Sequence, residues 1–212
     1  MWGTYNMKEQ FLAELKIYQD KIIEAVQDYF LIERFADWDE YKHKEIAEYN
    51  STFIPISNSL KLSFVTRYTA LFDKRSNYRI NKIVKPCKGE DWFMDSCVDG
   101  IVESIVKITE EDNDAIKNAM VWRDKFLVHF DAESINEEEF LKLKGNTPLL
   151  VDDMLKNLHA LHNYINNIRI ALGERPRKMF SLNYQTIDNM MIKLLSVEVA
   201  PVPKFDLKKI ID

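Results

Sequence analysis

The chain is short of the residues that bend and staple a backbone: five Gly, six Pro and two Cys among 212 residues. So little Gly and Pro excludes collagen-like and low-complexity chains, whose signature is an excess of those two residues. Cys87 and Cys97 are too few and too isolated for a disulfide framework and match no zinc spacing, so reduced thiols are expected. No apolar run approaches the ~18–20 residues that cross a bilayer. The opening "MWGTYNMKEQFLAELKIYQD" lacks the basic-then-apolar order of a signal peptide. A cytoplasmic protein with no membrane partner is the expectation. Basic excess is missing too: 29 Lys and Arg against 34 Asp and Glu leave a net charge of −5. That balance argues against a general nucleic-acid coat protein. Also missing are a Gly-rich phosphate loop, a Ser-His-Asp arrangement, HExxH and a close carboxylate cluster, so neither cofactor nor metal is expected.

What is present is 46% hydrophobic and 30% charged residues at helical spacing. Leu12, Leu15, Ile22, Val26, Tyr29 and Phe30 mark a long first helix, and Leu60, Phe64, Tyr68, Leu71 and Phe72 a second after a break at Pro55. Residues 76–100, with Pro86 and Gly89, read as a connection with at most short helices. Thr109 is expected to cap the next helix, Thr109–Phe130, with Glu110, Glu111 and Asp112 in its first turn. The longest helix is expected from Thr147 as cap and Pro148 in the first position to Gly173. Its core stripe is Val151, Met154, Leu155, Leu158, Leu161, Ile165, Ile168 and Leu172. A shorter helix near Tyr184–Leu195 precedes an extended tail, residues 197–212, where Pro201 and Pro203 forbid helix. One domain over residues 1–212 follows, all-α, an up-and-down helical bundle.

Arg123 sits inside an apolar stripe. Ile116, Met120, Leu127 and Phe130 share its face; Ala115, Ala119, Trp122 and Phe126 form a second stripe that His129 closes. Only Asp114, Lys117, Asn118 and Lys125 make a wet face. Such a helix is expected to be central or at an interface, and an unpaired cation there costs several kcal/mol. A structural Arg–carboxylate pair with an incidental His is the plainer reading. An Arg and a His this far apart occur often by chance; Asp124 directly after the Arg narrows the pattern.

Arg123, Asp124 and His129 in "VWRDKFLVHFD" resemble the motif of the HEPN superfamily, all-α bundles that include many metal-independent ribonucleases of toxin–antitoxin, abortive-infection and CRISPR systems. With "LKLSFVTRYTALFDKRS" upstream, the chain is similar to the abortive-infection branch, over about Phe53 to Gly173. The resemblance implies a HEPN-like bundle with extra N- and C-terminal helices, and a site shared between two copies of the chain. It also implies RNA as substrate and an antitoxin or regulatory protein as a further partner. Asp131 stands where toxins silenced by nucleotide transfer carry Tyr, which argues against that route of regulation.

Geometry bears on the same point. Six positions along a helix mean a rise of about 9 Å and a turn of about 240°. Arg123 and His129 of one chain therefore do not easily grip one phosphate, and a two-fold axis beside the helix would solve this. In such a site one His129 would accept the ribose 2′-hydroxyl proton and the other would protonate the leaving 5′-oxygen. Arg123 would stabilise charge on the phosphate, and Asp124 would orient Arg123 or His129. Lys125 faces the side of His129. From Asp73 to Lys88 the chain carries Lys74, Arg75, Arg79, Lys82, Lys85 and Lys88 against a single acid, with Tyr78 among them; these are candidate RNA contacts or a solvated surface. Arg175, Arg177 and Lys178 form a smaller cluster. His159 and His162, three apart, suit a core-edge and a surface histidine better than a metal. Trp2, Trp38 and Trp92 are expected to pack rather than stack on bases. Beside the ribonuclease stand two other readings: a non-catalytic module binding a nucleotide or partner protein, and a plain helical interaction protein.

Overall fold

The periodic apolar positions do become helices. A computed structural model of the protein describes residues 7–41, 50–73, 75–76, 79–94, 98–110, 113–127, 137–179 and 188–189. Among them are eight α-helices and no strand. They are α1 (Met7–Tyr41), α2 (Asn50–Phe72), α3 (Ile80–Val84), α4 (Asp91–Met94), α5 (Val98–Glu110), α6 (Asp114–Leu127), α7 (Glu137–Asn146) and α8 (Val151–Ala171), with a 3-10 turn at Lys85–Cys87. The protein is an all-α bundle, and no described helix is long and apolar enough to cross a membrane.

α1 and α2 run antiparallel. Across α1 and α2, Glu24 meets Arg67 and Asp28 accepts the Ser63 hydroxyl, so one number falls as the other rises. Along α6 the partners likewise descend, from Asn157 through Pro148 to Thr147. The core lies between α1, α2, α5 and α8. Phe11, Leu15, Tyr18, Ile22 and Val26 of α1 meet Phe64, Tyr68 and Leu71 of α2 and Met154, Leu158, Leu161, Ile165 and Ile168 of α8, all buried. Truncating any one large side chain here to Ala would cost about 2–5 kcal/mol.

Several boundaries differ from expectation. α2 continues through Pro55, whose missing N–H takes one hydrogen bond out of the helix ladder. Residues 98–110 form a full helix; Gly100 and the acids at 110–112 disguise it as a loop followed by a first turn. Thr109 therefore ends α5 rather than starting α6, and its hydroxyl donates back to the Val106 carbonyl. Asn113 is the cap instead: its Oδ1 accepts the N–H of Ala115 at 3.0 Å and of Ile116 at 3.4 Å. α8 starts at Val151 with no side-chain cap, leaving Thr147 and Pro148 in the preceding loop, and α1 exceeds it in length. The helix near Tyr184–Leu195 and the tail from residue 197 fall outside the described residues, Asp188 and Asn189 apart.

Gly173, at φ +84°, ends α8 with paired bonds from Gly173 N–H to Ile170 and from Glu174 N–H to Arg169. Residues 174–179 then lie against α8 and α1. Asn166 grips the Arg177 backbone at both N–H and C=O, 2.9 Å each, and Arg177 pairs with Asp20 at 2.6 Å.

Candidate functional site

α6 carries Arg123 and Asp124 of the motif, and three contacts fix its position. Its cap, Asn113, donates to Asn157 of α8, which in turn donates to the Tyr68 hydroxyl of α2. Ala115 and Ala119 are buried; their small size lets α6 lie close to its neighbours. On the far side Asn118 and Trp122 donate to the carbonyls of Pro148 and Thr147. Within the described residues, then, the apolar stripes of α6 find cover inside their own chain. Its outer face carries Asp114, Lys117, Val121, Asp124 and Lys125, a wetter face than the sequence alone suggests.

This placement brings Arg123 to the end of α2, where Asp73 waits. Arg123 Nη1 donates to Asp73 Oδ2 at 2.8 Å. Its Nε and Nη2 reach a single oxygen of Asp124, Oδ1, at 2.8 and 2.7 Å. The side chains of Arg123 and Asp73 are 15% and 19% exposed, that of Asp124 59%. Burial opposes the charge on Arg123, but the hydrogen bonds and charges of Asp124 and Asp73 outweigh it and raise its pKa. The Arg75 backbone N–H, donating to Asp73 Oδ1 at 2.9 Å, is the largest influence holding the Asp73 carboxyl below its usual range, and Arg123 adds to it.

Asp73 was not among the residues the motif suggested. Its signal was present: it is the one acid in the basic run of residues 73–88, placed where α2 stops. It also joins that run to the motif, since Arg75 Nε lies 3.6 Å from Asp73 Oδ1 and Lys82 Nζ donates to the Arg75 carbonyl at 3.3 Å. The rest of the run goes elsewhere. Lys85 and Lys88 line a groove of about 440 Å³ opposite Asp99 and Glu103 of α5. Arg79 is half-buried, with its Nε in the interior beside Tyr18. Lys125 is exposed. His129, Lys74 and Tyr78 lie outside the described residues.

His159 and His162 part company. His159 is exposed, while His162 is 3% exposed and bonded within the chain: Nε2 is 3.0 Å from the Arg177 carbonyl and Nδ1 is 3.4 Å from Gln19 Nε2. Burial lowers its pKa, and the Arg177 carbonyl opposes that shift. Among the described residues no three His, Cys, Asp or Glu side chains gather as metal donors.

Comparison of the chain with protein-family models, with curated proteins and with solved structures gives no match.

Proposed function

We propose that the protein is a metal-independent endoribonuclease of the HEPN type, with a site completed by a second copy of the chain. The observation that carries this reading is the state of Arg123. Of the five N–H donors of a guanidinium, three are taken by Asp73 and Asp124, which leaves two without a described partner. Among the described residues the cation is thus oriented yet incompletely used, and Asp73 joins it to the exposed Arg75, whose carbonyl accepts from Lys82. In the proposed reaction one His129 accepts the ribose 2′-hydroxyl proton and the 2′-oxygen attacks phosphorus. The partner's His129 protonates the departing 5′-oxygen. Arg123 donates to the non-bridging oxygens as their charge grows. The products are a 2′,3′-cyclic phosphate and a 5′-hydroxyl.

A second reading has its own support. Arg123 is only 15% exposed and has two carboxylates beside it, as a purely structural ion pair would. This favours a non-catalytic bundle that binds a nucleotide or a partner protein.

One experiment separates the two. The purified chain is incubated with total RNA and with DNA, with and without EDTA, beside His129→Ala and Arg123→Ala. The ribonuclease cuts RNA alone, leaves cyclic phosphate ends, ignores the chelator and loses roughly 10²–10⁴-fold in rate without His129. If the parent cuts no RNA, or His129→Ala cuts as well as the parent, the binding module replaces it.

A further inference from the structure

Asp73 and Asp124 hold Arg123 in unlike ways. Asp73 comes from a different element, fifty residues upstream, and is itself held. Its backbone N–H donates to the Thr69 carbonyl at 2.9 Å, its Oδ1 accepts from the Arg75 N–H, and its side chain is largely covered. Asp124 lies within α6, and its side chain has no such support. It is 59% exposed, and Arg123 is its only partner among the described residues. The contact is also lopsided, because Nε and Nη2 converge on Oδ1 while Oδ2 has no described partner. A guanidinium edge with two parallel N–H groups is matched better by two oxygens, and a phosphate diester presents two non-bridging ones.

We infer that the Nε/Nη2 edge of Arg123 is a phosphate-exchange edge: Asp124 occupies it in the free protein and yields to an RNA phosphate, while Asp73 stays as the fixed positioning residue. Asp124 is then a placeholder that keeps the guanidinium aimed when no ligand is bound, and the orienting role passes to Asp73. The identity of the ligand rests on the ribonuclease reading. Arg75, 87% exposed, and Lys82 lie on the Asp73 side and give the incoming backbone a basic approach.

The test uses a 2′-O-methyl oligonucleotide, which cannot supply the nucleophile, and reads Kd by fluorescence anisotropy on the full chain. Asp124→Ala and Asp124→Asn are expected to tighten binding about three- to tenfold, and Asp73→Asn to weaken it by a similar factor. Removing any acid near a polyanion gives some gain, so Asp114→Ala, at another exposed acid of the same helix, measures that background. The gain at Asp124 must exceed it and must fall to that background once Arg123 is changed to Gln. If Asp124→Ala weakens binding, or its gain survives Arg123→Gln, the inference is wrong. Asp124 is exposed, so its arm decides even where Asp73→Asn folds poorly. Cleavage assays on the same variants separate the two claims. Binding in the expected order without RNA cleavage overturns only the ribonuclease. Cleavage with no tightening at Asp124 overturns only the exchange edge, and no binding by any variant overturns both.

Discussion

Asn166→Ala removes three hydrogen bonds at once, and the structure gives the size of the loss. Asn166 accepts from Gln19 Nε2 and from the Arg177 N–H and donates to the Arg177 carbonyl, each at 2.9 Å. At about 1 kcal/mol net per bond, with a further penalty for the fully buried Gln19 amide, the loss is about 3–4 kcal/mol. For a chain of this size that is a fall in Tm of roughly 6–16 °C by calorimetry. A loss below about 1 kcal/mol would refute the reasoning, since these bonds would then exchange with water at no net gain. Acid provides a second reading of the same clasp. His162 donates its Nε2 proton to the Arg177 carbonyl and presents Nδ1 as acceptor to Gln19, so the neutral ring fits and a second proton does not. The nearby charges, His159 on its own helix and Arg177 on the clasped segment, both disfavour that proton, and Asp20 of α1 is engaged with Arg177. Because the folded pKa is depressed below 6.5, the unfolded chain binds the extra proton more readily. The contribution of His162 is complete above pH ~6.5 and is lost as pH falls toward the folded value. Asn166→Asp reverses the sign by placing a carboxylate where the Asn166 amide nitrogen stands, 3.1 Å from Nε2. Its stability relative to the parent should therefore rise between about pH 7 and pH 5. Parallel pH profiles for the two proteins would defeat this account.

Two further outcomes follow from the placement of charge and from the geometry of the motif. Arg75→Glu or Lys82→Glu should weaken RNA binding and lower the salt slope by about one unit each. Lys85→Glu and Lys88→Glu, on the groove opposite Asp99 and Glu103, should do less in the same titration. Equal effects at all four would mean that the whole run acts as one diffuse surface. Sedimentation at micromolar concentration should show a dimer of the 25.1 kDa chain; particles of monomer mass alone would remove the composite site.

The parts of the fold legible in the sequence were those with long apolar periodicity. α1 and α8 carry a buried residue at nearly every third or fourth position, and both stand where the pattern puts them. The ends were less legible, because a cap is a local competition that composition does not decide. Thr109 and Asn113 are both good caps; Thr109 spends its hydroxyl on the preceding turn, and Asn113, also tied to Asn157, takes the role. α5 was hidden for a related reason. Acids at 110–112 suit the start of a helix, while α5, which closes at Glu110, has Gly100 in its first turn. At the site, Arg123 and Asp124 were legible from their adjacency. Asp73 was legible only as the lone acid of a basic run and not as the partner of Arg123, since a pairing across fifty residues depends on how α2 and α6 pack.

That pairing changes the case for a second copy of the chain. The expectation of a dimer had two supports: a motif helix with too little polar face, and an Arg and a His six positions apart. The first is now weak, because Ala115, Ala119 and Ile116 are buried within the chain and the outer face bears four charged residues. The second concerns His129, which lies outside the described residues, beyond the end of α6 at Leu127. The charges add a requirement of their own. Arg123 and Arg75 are balanced by Asp73 and Asp124, so the positive charge that one copy still offers a phosphate there comes from the exposed Lys82 and Lys125. A site made from two copies needs each Asp124 to yield its edge. On that reading dimer formation and the exchange at Arg123 are linked: while Asp124 stays paired, the Nε/Nη2 edge of Arg123 is filled in both copies, and release of that carboxylate opens it to a phosphate.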